Sequence, residues 1–110
     1  MTYRMFVDDI RDPNWVYADQ DTSDWQVCRT MAEAQEMISD LGWPCWISFD
    51  HDLGDNIPTG YDLAKWLVEQ DLDSSFRPQG WSYAVHSATP VGAANIKGLL
   101  DSYLSQKQHT

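Results

Sequence analysis

Cysteine is scarce in this chain. Cys28 and Cys45 are the only two, and they form neither a CxxC pair nor a zinc-ligand spacing. This excludes a disulfide framework, and both are read as reduced core thiols, as expected of a cytoplasmic protein. Basic residues are also few, seven Lys and Arg against 17 Asp and Glu, so the formal charge is 7 − 17 = −10. Seven cations cannot neutralise many backbone phosphates, which excludes binding in a duplex nucleic-acid groove. A small phosphorylated ligand remains open, provided a metal ion supplies local positive charge. No apolar run approaches the roughly 20 residues of a membrane span, and no membrane association is expected. Met1-Thr2-Tyr3-Arg4-Met5 lacks the shape of a signal peptide. A Walker loop, a GxGxxG fingerprint, internal repeats and low-complexity segments are all missing.

What the chain has in plenty is aromatic and apolar side chains. Aromatics make up 13% and hydrophobic residues 43% of its 110 residues, with six tryptophans. Such a chain is not disordered. Its length allows one domain, expected over 1–105 with a frayed tail at 106–110, and that domain can bury roughly 60–70% of its unfolded surface. The tryptophans are read as packing residues, with Trp15 and Trp43 the exceptions because both lie in loop-like sequence.

The pattern along the chain alternates strands and helices. Short strands are expected at 3–7, 25–29, 45–49 and 81–85, the third nearly all apolar as in a strand covered on both faces. Residues 11–24 carry Pro, Asn, Ser and four Asp without helical period and read as an irregular loop. Thr30-Met31-Ala32-Glu33 is a capping box, followed by Ala34, Met37, Ile38 and Leu41 on one helical face and by a terminating Gly42. A second helix is expected over 61–70, then a polar connection over 71–80. Thr89 can cap a last helix with Pro90 at its first position and Ile96, Leu99, Leu100, Tyr103 and Leu104 as its apolar stripe. The order β–loop–β–α–β–α–β–α predicts a parallel α/β sheet whose ligands bind beyond the carboxyl ends of its strands.

Polar residues gather at those ends: Asp8-Asp9 after the first strand, Asp50-His51-Asp52 after the third, His86-Ser87 after the fourth. Crowded carboxylates are costly unless a cation sits among them or one takes a proton. Oxygen ligands suit Mg²⁺ or Mn²⁺, so Asp8, Asp9 and Asp50, with Asp52 through its backbone carbonyl, are the candidate metal ligands. His51 and His86 flank the cluster and are candidate general acid and base beside a phosphate. Ser87 is a candidate donor to a phosphate oxygen. Gly54 and Gly60 bracket the turn-rich segment 51–60 as possible hinges.

These residues resemble the response-regulator receiver domain, in which an acidic pair and the Asp after the third strand hold Mg²⁺. That Asp is the phospho-acceptor there, and a Ser or Thr after the fourth strand senses the phosphate. The wording is closer to one offshoot, the cyclic-phosphate processing receiver domain: F-V-D-D-x-R over 6–11, S-F-D-H-D-L-G over 48–54, T-G-Y-D over 59–62 and H-S-A-x-P-V-G over 86–92. The four blocks come in order and span nearly the whole chain. The resemblance implies a three-layer receiver-like, flavodoxin-like fold. Its mainly parallel sheet of about four strands takes the order 2-1-3-4, helices lie on both faces, and a loop replaces the first helix. It implies chemistry on cyclic or terminal phosphates of nucleotides or RNA ends, as a metal-dependent phosphoesterase with Asp50, His51 and His86 in catalytic roles. Two alternatives stay open: a phospho-accepting regulatory module with Asp50 as acceptor, and an acidic protein-binding module. Receivers carry a Lys after a fifth strand. This chain has neither that strand nor that Lys, and Arg11 is the candidate replacement cation at the phosphate.

Overall fold

The computed structural model describes residues 3–18, 24–54, 57–74, 81–87 and 89–108. Four strands, β1 (Arg4–Val7), β2 (Trp25–Cys28), β3 (Trp46–Phe49) and β4 (Ser82–Val85), pair in the order β2-β1-β3-β4. All three pairings are parallel. Among the described residues, four helices complete the order: α1 (Pro13–Val16), α2 (Met31–Leu41), α3 (Gly60–Ser74) and α4 (Pro90–Gln108). The expected α/β architecture and strand order are met. No helix among the described residues is long and apolar enough to cross a membrane.

The topology decides how the faces are covered. β2→α2→β3 and β3→α3→β4 step across the sheet in the same direction, so right-handed crossovers put both helices on one face. Met5, Val7, Cys28, Ile47 and Phe49 point there and form one core with Ala34 and Ile38 of α2, Leu63, Ala64 and Leu67 of α3, and Ile96 and Leu100 of α4. The β1→β2 connection steps the other way and lies on the other face. The irregular loop expected over 11–24 has one helical turn, α1, with Pro13 at its start, and its residues 19–23 lie outside the described residues. The helical cover is therefore unequal, with the three long helices on one face and one turn on the other. Aromatic packing closes that second face. The Tyr17 ring stacks on Trp25 at 5.3 Å and meets the edges of Phe6 and Trp46, while the Arg4 guanidinium lies 4.6 Å over Trp25.

Local chemistry sets the helix ends. Thr30 Oγ1 accepts from the Glu33 N–H at 3.1 Å, and Glu33 Oε1 accepts from the N–H of Arg29 at 2.8 Å, one residue earlier than a capping box anticipates. The N–H of Gly42 closes α2 onto Ile38, at φ +86°. α3 runs past the expected stop at Gln70 because Asp71, read as part of a polar connection, is buried at 3% exposure and accepts from the Tyr103 hydroxyl of α4. The rest of that connection, 75–80, lies outside the described residues. α4 begins at Pro90 as expected and continues to Gln108, past the boundary drawn for a frayed tail. Cys28 is buried, Cys45 half-buried, and both are free thiols. Burial, with Glu33 nearby, pushes the Cys28 thiol up to about 12, so it acts as a small core hydrophobe. Trp15 is 61% exposed, whereas Trp43 packs edge-on against Trp81 at 5.9 Å.

Candidate functional site

Parallel register places the site. Val7, Cys28, Phe49 and Val85 form the last row of the sheet. The ladder then takes one further step: Asp8 N–H to Cys28 O at 3.1 Å, Asp50 N–H to Val7 O at 2.9 Å, His86 N–H to Phe49 O at 2.9 Å. Asp8, Asp50 and His86 therefore share the next row, on the aromatic face. Asp9 joins them from the following position. Carboxylate oxygens of Asp8, Asp9 and Asp50 all lie within 4.8 Å of one another. They open on a cleft of about 300 Å³ whose walls also include Ile10, Arg11, Asp52 and Thr89. The three acids expected to converge do so. Asp52 stands apart from the trio, its carboxylate turned to His51 and Thr89.

The carboxylates are in unlike environments. Asp8 is 1% exposed. Burial opposes its charge, but the backbone N–H groups of Arg11 and Ile10, the Arg11 guanidinium and His86 outweigh it and hold its pKa below the usual range. Asp50 shifts upward. Burial comes first among the causes, then the charges of Asp8 and Asp9, against relief from Arg11 and a hydrogen bond from Ser87. Arg11 spans the two acids, its Nε 2.8 Å from Asp8 and its Nη2 3.8 Å from Asp50 Oδ1. It is thus placed where the sequence reading wanted a cation. Ser87 also accepts from the N–H of Thr89 at 3.1 Å, an ordinary ST turn, while its hydroxyl serves Asp50.

The two histidines do not stand as expected. The His86 ring is 3% exposed, stacked on Phe6 at 4.4 Å, with Nδ1 2.6 Å from Ser48 Oγ and Nε2 3.0 Å from Asp8. Both nitrogens are used inside the fold. The expectation that His86 faces a phosphate is corrected: the ring shares the face of Asp8 and Asp50 but packs on Phe6 and bonds Ser48 and Asp8, and it does not line the cleft in which a general acid or base was expected. Burial above all lowers its pKa against the pull of Asp8, so the ring is neutral near pH 7. His51 does not line the cleft either. Its Nδ1 binds Asp52 Oδ1 at 2.9 Å, and Asp52 Oδ2 accepts from the Thr89 hydroxyl at 2.7 Å. Nε2 makes no hydrogen bond among the described residues.

Glycines in two of the motif blocks have a packing reason. A Cβ at Gly60 would stand 2.0 Å from the Asp50 carbonyl oxygen, because the start of α3 lies directly on the backbone that carries Asp50 and donates its N–H to His51 O. Gly60 is required for close approach and not as a hinge. Gly60→Ala should cost about 1–3 kcal/mol as an overpacking change and lower the urea midpoint without altering the slope. A Cβ at Gly92 would stand 2.4 Å from the His51 ring, so Gly92 leaves the space in which that ring sits.

Three contributors escaped the sequence reading. Arg29, one step past β2, donates to the carbonyls of Arg11 at 2.6 Å and Asp8 at 3.3 Å and pairs with Asp12 at 2.5 Å, bracing the backbone of the site loop. Ser48 and Tyr17, 2.8 Å apart, support His86 from below. Parity along β3 could have flagged Ser48, a polar residue at a position where only buried residues belong. Nothing local marks Tyr17 or Arg29.

Comparison with known proteins gives a consistent picture. The family model described as the cyclic-phosphate processing receiver domain matches residues 3–102. No curated protein matches the chain. A solved structure, titled as the yeast Spc42 trimeric coiled coil (amino acids 181–211) fused to another structure, is 16% identical with a TM-score of 0.52. The likeness covers 99% of this chain and 85% of that one, and it bears on the fold alone.

Proposed function

The chain belongs to the cyclic-phosphate processing receiver family, and on that premise we propose that it is a metal-dependent phosphoesterase acting on cyclic or terminal phosphates of nucleotides or RNA ends. The observation that carries this reading is the convergence of Asp8, Asp9, Asp50 and Arg11 on one cleft. Three carboxylates against one guanidinium leave a surplus of negative charge, and Asp50 is shifted upward by burial first and then by the charges of Asp8 and Asp9. An all-oxygen donor set with that surplus fits Mg²⁺ or Mn²⁺. When bound, such an ion neutralises phosphate charge and lowers the pKa of water.

The protein's own groups supply the rest. Arg11 presents a fixed fork to a phosphate oxygen. The Ser87 hydroxyl, whose one proton goes to Asp50, can turn that proton to a phosphate oxygen instead. Asp52 lines the cleft and is oriented by Thr89, while its other oxygen holds His51 Nδ1. The carboxylate can only accept, so the shared proton sits on His51 Nδ1, and the pair holds Asp52 in place beside the cleft. His51 thus acts at one remove, as a positioning residue for Asp52, and His51→Ala should lower turnover by about tenfold, the lower end of what loss of an outer partner costs.

The test is a panel of 2′,3′-cyclic nucleotides, RNA 2′,3′-cyclic ends and terminal phosphomonoesters with Mg²⁺ or Mn²⁺, read by phosphate release and product mobility. Turnover that vanishes with chelator and in Asp50→Asn supports the proposal. Stoichiometric labelling of Asp50 by acetyl phosphate without turnover would replace it by the phospho-accepting module, since Arg11 and Ser87 also suit an aspartyl phosphate. An inert protein on both counts would leave the acidic binding module.

A further inference from the structure

Asp8 looks at first like one of three equivalent metal ligands. Its hydrogen bonds set it apart. Oδ1 accepts from the N–H of Ile10 at 2.9 Å and of Arg11 at 2.9 Å. Oδ2 accepts from Arg11 Nε at 2.8 Å and from His86 Nε2 at 3.0 Å. A carboxylate offers about four lone-pair sites. Four N–H groups occupy them, on a side chain that is 1% exposed.

The donors are themselves fixed. Asp8 is an acceptor only, so the His86 proton sits on Nε2 and Nδ1 of the neutral ring accepts. Ser48 must then donate to Nδ1 at 2.6 Å, which leaves its oxygen to accept from the Tyr17 hydroxyl at 2.8 Å. Every link runs one way: Tyr17 to Ser48, Ser48 to His86, His86 to Asp8. At the far end Asp8 grips Arg11 by Nε while Nη2 reaches the His86 carbonyl at 3.3 Å and stands 3.8 Å from Asp50. The guanidinium is planar, so tying Nε aims its remaining edge. Swinging Asp8 toward a cation would release the Arg11 fork, open the turn made by the Ile10 and Arg11 N–H groups, and leave the buried His86 Nε2 without its acceptor, which is costly.

We infer that Asp8 is the positioning residue for Arg11, held by the chain from half-buried Tyr17 through buried Ser48 and the His86 ring, and that Asp9 and Asp50 alone supply carboxylates to the metal. The inference rests on the metal-site reading proposed above. It divides the acidic cluster into two jobs: one acid aims the phosphate-binding cation, and two acids face the ion. It also gives the segment 11–17 a task, because Tyr17 is the outer end of the chain that sets Arg11.

Nitrogen-15 NMR of the wild-type protein, with and without saturating Mg²⁺, tests this directly. The Arg11 Nε–H signal should exchange at least about 100-fold more slowly than that of free arginine and keep this protection when Mg²⁺ saturates. Loss of protection on Mg²⁺ binding would show Asp8 turning to the ion and would overturn the inference. Mn²⁺ titrations followed by electron paramagnetic resonance give the second arm. Asp9→Asn and Asp50→Asn should each weaken Mn²⁺ at least about 100-fold, whereas Asp8→Asn should cost no more than about tenfold, as an outer anion, and Ser48→Ala no more than about threefold, while both expose Arg11 Nε–H to exchange. A folded Asp8→Asn that loses Mn²⁺ as completely as Asp50→Asn overturns it. Should Asp8→Asn fail to fold, Ser48→Ala and the wild-type Mg²⁺ comparison decide. A wild type that binds no Mn²⁺ at millimolar concentration refutes the metal-site reading instead, and the Arg11 protection in metal-free protein then still reports on the chain.

Discussion

Asp50→Asn should yield a protein that folds better without metal and does nothing with it. Removing one of three crowded anions should raise the stability of the metal-free protein by on the order of 1 kcal/mol, the common size of a single-site change. The pH dependence makes this specific. The folded-state pKa of Asp50 lies above its unfolded value, so its contribution to stability is intact below the unfolded pKa and is lost as pH rises through the folded one. Asp8 has the opposite slope: its folded-state pKa is depressed, so its contribution is present above the unfolded pKa and is lost as pH falls through the folded one. In chelator, urea midpoints of the wild type should therefore fall on both sides of a weakly acid optimum, and Asp50→Asn should erase only the decline on the high-pH side. Metal affinity moves the other way. Loss of outer partners alone costs metal sites roughly 10–100-fold, so loss of a direct carboxylate should cost at least as much, and turnover with it. Calorimetry with MnCl₂ beside the urea series reads both. A variant less stable than wild type in chelator at neutral pH would mean that Asp50 is not in a crowded anionic site.

Much of this was written in the sequence. Strand order followed from alternating β and α segments plus the receiver resemblance. The acidic trio followed from a simple rule, that polar residues directly after parallel strands converge. What escaped was the orientation of particular rings. His86 shares its face with Asp8 and Asp50, yet its ring packs on Phe6 while their carboxylates open on the cleft, and a motif string carries no such orientation until the neighbours are known. The partners of His86 are 38 and 78 residues away in Ser48 and Asp8. The extension of α3 past Gln70 hides for the same reason, because Asp71 is tolerable there only through a hydroxyl on α4. Tyr17 is the extreme case. It lies in a segment with no periodic signal, and its role arises from ring packing with Trp25 and Trp46 on two different strands.

That reversal of His86 leads to the other large effect. A histidine that served only as acid or base could be cut to Ala with the fold intact and a rate loss of roughly 10²–10⁴. The buried ring seen here predicts something else. His86→Ala empties a space stacked against Phe6, which is itself fully buried. It leaves Ser48, also fully buried, without its acceptor, and takes one of four donors from Asp8. A cavity together with unpaired buried polar groups should destabilise the protein by roughly 2–4 kcal/mol. A domain of ordinary stability, about 5–15 kcal/mol, survives that loss. Urea unfolding should therefore show a folded variant with a much lower midpoint and an unchanged slope. His51→Ala, whose ring is half-buried against Gly92, should cost less, about 1 kcal/mol, the common size of a single-site change. The contrast between the two is the decisive reading. If His86→Ala melts with the wild type and loses only turnover, the ring must leave Ser48 and Asp8 to reach substrate, and the buried arrangement is not the working one. If it melts early and the folded fraction keeps most of its Mn²⁺ affinity, His86 supports the site from underneath while Asp9 and Asp50 hold the ion.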